Sequence, residues 1–337
     1  MRGRSAGAVV GAVLAVLVAT GGVALEVSAA SPAAADPVAS VRVDIQDVSL
    51  TVDGETATGR LYEPYREHPG DLEARDLIVA VHGHAGSAAD FEGYMSSIVR
   101  NTGAPLLTMD QRSAQGPWRT GEWNVWAGWR DTVSATQWYR GAHPAISRTV
   151  LWGWSQGGVT SGLAAAYAPA GTYDYWVDTF GQSGDFTGWL EAPFAGPALR
   201  PEIERDAGGC TPLSCPQAYA DRTPTLLANR MNIKRALIVH GTADNLVPYA
   251  SGLETRAAMT LTGKPVSMYT VLTGRDLDGS VVPGGHGLGP VFYESGCVVQ
   301  RLLLNTEPLG GDHDYLIDIA NGIDTAPPAP PNTLCGG

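Results

Sequence analysis

Two hydrophobic rhythms divide the chain. The segments VRVDIQDVSLTV (41–52) and ATGRLYEP (57–64) alternate apolar and polar residues. That period of two predicts antiparallel strands with one face in water. Beyond residue 76 the texture changes to short, nearly unbroken apolar runs: LIVAVHG (77–83), APLLTMD (104–110), TVLWGWS (149–155), YWVDTFG (175–181), ALIVHG (236–241) and VSMYTVL (266–272). Strands covered on both faces read this way and belong to parallel sheets. Helices are predicted between them at 90–101, 127–140, 157–168 and 250–262, with a closing helix over PVFYESGCVVQRLLL (290–304). Strand alternating with helix predicts an α/β fold with a doubly wound, mostly parallel sheet.

One interval is too long for a simple crossover. Residues 184–233 carry prolines, the loop CTPLSC and short helical pieces, and they predict a cap inserted between strands 6 and 7. The Pro-rich end, residues 325–337, is expected to lie extended on the surface. No internal repeat is visible.

The first residues are of another kind. Arg2 and Arg4 precede an apolar stretch from Ala6 to Leu25, followed by SAASPAAAD, whose small residues Ala33 and Ala35 suit cleavage before Asp36. Residues 1–35 therefore read as a secretory signal peptide, with an uncleaved membrane anchor as the alternative. Cleavage leaves one domain, 36–337, secreted and with no further segment suited to a bilayer. Its net charge would be −13, one unit below the −12 of the whole chain, because Arg2, Arg4 and Glu26 leave together. So acidic a chain has no basic face for nucleic acid. Neither the charge nor the pattern specifies an oligomeric state.

Four cysteines, Cys210, Cys215, Cys297 and Cys335, all follow the signal. An even count in an exported chain fits two disulfides, with three possible pairings. The short loop favours Cys210–Cys215, leaving Cys297 to tie down Cys335. No CxxC pair with a neighbouring histidine suggests zinc, and no metal or organic cofactor is called for.

Candidate chemistry gathers where the apolar runs end: His82-Gly83-His84, Asp110-Gln111-Arg112, Ser155 and His240-Gly241-Thr242-Ala243-Asp244. In open parallel sheets ligands sit at those carboxyl ends. Ser155 lies in WGWSQGG, between a buried strand and a helix that begins immediately after it. Such a corner strains the nucleophile's backbone, exposes its hydroxyl, and aims helix N-terminal amides at developing negative charge. A plain strand-to-helix turn with Ser155 as N-cap is the alternative.

Taken jointly and in this order, HGHAG, GWSQGG and HGTADNLVP resemble the α/β-hydrolase superfamily over roughly 75–320, and in particular the catalytic domains of prolyl-oligopeptidase-like and dienelactone-hydrolase-like members. The resemblance implies a secreted serine hydrolase with the order nucleophile, acid, histidine. Ser155 would be the nucleophile and Asp244, after the penultimate strand, the acid; its alternative is an Asx-type turn. His286 in VPGGHGLG would be the base, with His313 as its rival. Asp178 and Asp185 are the other candidates for the acid. His68 and His143 fall in loops, and His82 and His240 suit buried structural hydrogen bonds. The oxyanion donors implied are the backbone amides of Gln156 and, by resemblance, His84, whose side chain could touch substrate.

Trp118, Trp123 and Trp154 stand at the same sheet edge and are expected to wall a substrate pocket, whereas Trp126 and Trp129 share a helix face suited to the core. By analogy with small secreted members of that superfamily, the resemblance implies cleavage of a carboxylic ester, or another acyl substrate, through an acyl-enzyme. The alternatives are a peptidase acting on short peptides and a non-catalytic glycan-binding protein on the same fold.

Overall fold

The computed structural model describes residues 42–65, 74–112, 122–196, 198–331 and 335. The expected signal, His68 and Trp118 lie outside the described residues.

The alternating segments form a hairpin, β1 (Val43–Val52) and β2 (Glu55–Pro64), paired antiparallel from Val43↔Pro64 to Val52↔Glu55. Its two-residue turn is Asp53-Gly54, with φ of 53° and 82°. Positive φ at both central positions matches the right-handed twist of the strands, and Asp-Gly tolerates it.

Each unbroken apolar run is a strand: β3 (Asp76–Val81), β4 (Leu106–Met109), β5 (Arg148–Trp154), β6 (Tyr175–Thr179), β7 (Arg235–Gly241) and β8 (Val266–Arg275). Between and after them run α1 (Glu92–Thr102), α2 (Val125–Ala142), α3 (Gln156–Tyr167), α7 (Tyr249–Leu261) and α8 (Pro290–Leu303). The sheet order is β1-β2-β4-β3-β5-β6-β7-β8, parallel from β4 to β8.

Successive residues of one strand serve two cores. Leu77, Val79 and Val81 join Leu151, Val133, Leu163 and Met259 on the face of α2, α3 and α7. Ile78 and Ala80 join Val150, Trp152, Met95, Ile98, Val298 and Leu302 on the face of α1 and α8. This is why the runs carry no polar alternation: both sides are dry. Trp152 is buried with its indole nitrogen satisfied by Thr179 Oγ1 (3.0 Å) and Ser295 Oγ (3.2 Å).

The sheet extends past the predicted strands. β9 (Val281–Pro283) pairs antiparallel with β8, β10 (His313–Asp318) pairs parallel with it, and β11 (Ile323–Asp324) pairs with β10. The long segment after β8 is thus a hairpin rather than an open loop. These strands are short and half-exposed, so no continuous apolar run marks them.

Residues 184–233 hold three short helices, α4 (Asp185–Ala195), α5 (Leu199–Asp206) and α6 (Pro216–Ala220), then a 3-10 turn over Pro224–Arg230. The disulfides are Cys210–Cys215 and Cys297–Cys335. Among the described residues no helix is long and apolar enough to cross a membrane.

The two bridges close loops of very different size, with sequence separations of 5 and 38. Loop entropy gives about 2 and about 4 kcal/mol respectively. Replacing Cys297 and Cys335 by serine is therefore expected to lower the urea midpoint about twice as far as the same change at Cys210 and Cys215.

Candidate active site

Ser155 sits between β5 and α3 with φ 57° and ψ −125°. A non-glycine residue held there stores about 1–3 kcal/mol. Close packing enforces the corner. A Cβ on Gly153 would lie 2.1 Å from the Gly157 carbonyl oxygen, and one on Gly157 would lie 2.1 Å from that of Val81. Only glycine at both positions lets the first turn of α3 press onto the ends of β3 and β5. The Ser155 amide donates to Thr179 O (3.0 Å), fastening the turn to β6.

Two residues from distant loops meet this serine. The Ser155 hydroxyl donates to His286 Nε2 at 2.9 Å, and His286 Nδ1–H donates to Asp244 Oδ2 at 2.7 Å. The carboxylate fixes the tautomer, because an ionised Asp244 only accepts. Its other oxygen, Oδ1, accepts from the amides of Leu246 (2.9 Å) and Val247 (2.8 Å). Asp244 is therefore an Asx-type turn residue and the imidazole's partner at once, one oxygen for each. The His286 ring packs against Phe180, with ring centres 4.4 Å apart.

The rival placements go elsewhere. His313 opens β10 opposite Ser267. Parallel register puts it at the amino edge of the sheet, away from Ser155 at the carboxyl edge. Asp178 is buried beneath α3, where a Cβ on Gly158 would come within 2.4 Å of its Oδ1. Asp185 accepts the Trp123 indole N–H (2.9 Å) at the start of α4.

Gln156 heads α3, where the first amides of a helix lack intrahelical partners. Gly83 crosses directly above: a Cβ there would lie 3.1 Å from Ser155 Cβ. The Gly83 carbonyl accepts from His82 Nδ1–H (2.8 Å) and from the Gly86 amide (3.1 Å). The tautomer follows, since His82 Nε2 accepts from the Gln111 amide (3.1 Å). Burial pushes the His82 pKa down, keeping the ring neutral as this arrangement requires. A trans peptide points its N–H opposite its C=O, so clamping Gly83 O also fixes the His84 amide. The His84 side chain turns to the cap, with Nε2 2.6 Å from Glu202 Oε2.

His240 is likewise buried, and its Nε2–H donates to Val247 O (3.0 Å). His82 and His240 both take the structural role expected of them.

Two side chains expected to wall a pocket are instead packed away. Trp123 is 4% exposed and Trp154 6%. Trp154 lies against Phe91, Trp152 and Phe292 in the α1/α8 core, because the last inward position of β5 falls there. Trp123 belongs to the opposite core, its indole nitrogen committed to Asp185. Trp126 and Trp129 are partly buried, Trp129 stacking on Tyr167.

One residue that the sequence placed among the candidates without a role joins the parts. Gln111, at the end of β4, donates through Nε2 to His82 O (2.6 Å). Its Oε1 accepts from Gln156 Nε2 (2.9 Å) and Thr160 Oγ1 (2.7 Å). This buried amide locks α3 to the loop above Ser155. Its place at a strand's carboxyl end was the available signal.

Burial raises the Asp178 pKa to about 7, with only the Gly181 amide opposing. Between about pH 4 and 7 the unfolded chain ionises this group while the folded chain keeps its proton, so stability falls as pH rises and then levels off. Each pK unit is worth about 1.4 kcal/mol. Asp178→Asn should flatten the decline in urea midpoint between pH 5 and pH 8 relative to the parent protein.

A model of the prolyl oligopeptidase family matches residues 122–275, less than half of the chain. No curated protein matches the sequence. Among solved structures, the acylaminoacyl peptidase of Pyrococcus horikoshii is 15% identical, with a TM-score of 0.60 over 78% of this chain and 41% of its own. A puromycin-hydrolyzing peptidase of Mycobacterium tuberculosis is 18% identical, with a TM-score of 0.60 over 82% and 42%. An esterase of Pyrobaculum calidifontis is 17% identical, with a TM-score of 0.55 over 78% and 84%. The chain thus spans about two fifths of the length of these peptidases. At such identities the likeness establishes the fold, which carries the strained serine corner described above. The chain thus has the α/β-hydrolase fold, and within it residues 122–275 match the prolyl oligopeptidase family.

Proposed function

We propose that the protein cleaves carboxylic esters through an acyl-enzyme on Ser155. The observation that carries this reading is the unbroken relay Ser155–His286–Asp244, with links of 2.9 and 2.7 Å. Ser155 Oγ attacks the acyl carbonyl as its proton passes to His286 Nε2, and Asp244 stabilises the resulting imidazolium. The amides of Gln156 and His84 receive the oxyanion. His286 returns the proton to the leaving alcohol, then draws one from the water that releases the acid. The likeness to the esterase of Pyrobaculum calidifontis, over most of both chains, supports an ester as the bond.

A second reading, cleavage of an aminoacyl or short peptide bond, is favoured by the prolyl oligopeptidase family match and by the likeness to acylaminoacyl peptidase. A glycan-binding role gains nothing from a strained serine, nor from Trp123 and Trp154, which are buried. Export after removal of residues 1–35 belongs to the same proposal, and two disulfides support it.

Two measurements test the reading. A fluorophosphonate should label the parent protein at Ser155, and Ser155→Ala should abolish both labelling and ester turnover, a loss of at least about 10³-fold. Turnover that survives the alanine would end the proposal. On matched p-nitrophenyl esters and aminoacyl p-nitroanilides, kcat/KM should favour the esters; the reverse ranking selects the peptidase.

A further inference from the structure

We propose that Glu202 is a positioning residue that ties the cap to the oxyanion loop, so that docking of α5 sets the aim of the His84 amide. The inference rests on the reading of Ser155 as nucleophile and that amide as donor. His84 Nε2 lies 2.6 Å from Glu202 Oε2, across 118 residues of sequence. The same carboxylate oxygen accepts the Trp123 amide (3.1 Å), and the Trp123 indole donates to Asp185 in the first turn of α4 (2.9 Å). Glu202 is largely enclosed, with 14% of its side chain exposed, while His84 retains 35%.

The geometry clamps one peptide plane from two sides. At its carbonyl end, Gly83 O is held by His82 and Gly86, both within the sheet-edge loop. At its amide end the plane belongs to His84, whose side chain is anchored to the cap, followed by Ala85 at a φ of 60°. An oxyanion donor acts only within about 2.7–3.1 Å of the developing charge. Rotation of the 83–84 plane by a few tens of degrees would carry the N–H out of range. Glu202 touches neither substrate nor reacting atoms; it acts through His84 alone.

A double-mutant cycle tests this, because His84→Ala removes the anchor yet keeps the backbone amide. Rates on p-nitrophenyl acetate, too small to reach the cap, are normalised to fluorophosphonate-labelled Ser155, so that misfolded protein does not count. Glu202→Ala and His84→Ala should each lower kcat about tenfold with KM moved less than about twofold, and the double variant should fall no further than the worse single. Glu202→Gln, which keeps an oxygen for the Trp123 amide and a polar partner for His84, should restore most of the loss. Unchanged kcat in either single variant, additive losses near a hundredfold, or a Gln variant as slow as the Ala variant would overturn the proposal. The outcomes separate cleanly: Ser155→Ala losing turnover while Glu202→Ala keeps it sinks the anchor alone. Turnover in Ser155→Ala sinks the underlying reading.

Discussion

The first turn of α3 presses so closely on β3 and β5 that no Cβ fits at Gly153 or Gly157, and the rest of the site depends on that contact. It forces Ser155 into its strained positive-φ conformation and lifts the hydroxyl off the sheet edge. It also brings Gly83 within van der Waals range of Ser155 Cβ, which sets the loop carrying His84 beside the serine. The strain of about 1–3 kcal/mol at one residue is small beside the burial of α3, where Val159 and Leu163 are wholly enclosed. The core shared with α2 and α7 holds the helix down; the glycines only remove the obstruction.

Fold and serine corner were legible in the chain because each rests on a local pattern. Six apolar runs became six buried strands, and GWSQGG became the corner, since strand, turn and helix are decided within a few residues of one another. What stayed hidden was long-range. Gln111 is one polar residue after a strand, and nothing local says that its amide will bind both the His82 carbonyl and the side chains of Gln156 and Thr160. The indoles were misjudged for a related reason. A tryptophan at a strand's carboxyl end can face the cleft or turn back into either core, and only tertiary packing decides. Trp154 and Trp123 each turned back, onto opposite faces. β10 and β11 were invisible because edge strands need no continuous apolar run.

Asp244 shows how two readings of one residue can both hold. A turn aspartate and a histidine-orienting aspartate look like competing explanations in sequence, yet a carboxylate has two oxygens. Oδ1 closes the turn on the amides of Leu246 and Val247, which leaves Oδ2 aimed at His286 and unable to rotate away. The turn is thus the means by which the acid is oriented. The same logic applies to His82, where a structural hydrogen bond to Gly83 O helps hold the peptide that bears the His84 amide.

The cap is built on a different principle from the body beneath it. Two helices of the sheet layers, α3 and α8, bury almost every residue, whereas α4 leaves Phe186 and Leu190 about half exposed. Polar pairs carry much of its attachment: Glu202 to His84 and the Trp123 amide, Asp185 to the Trp123 indole, and Asp206 to the Trp126 amide at 3.4 Å, with Arg222 holding Asp206 from within the cap at 3.1 Å. Burial pushes the Asp206 pKa up to about 6 against the pull of Arg222, and burial with the neighbouring Asp206 charge raises that of Asp185. A hydrophobic contact is indifferent to protonation, but an enclosed carboxyl group is not. Such enclosed carboxyl groups stand in the cap at Asp185 and Asp206 as well as in the sheet at Asp178, so the cap shares the sheet's sensitivity to charge. Glu202 joins this polar attachment to the loop above Ser155.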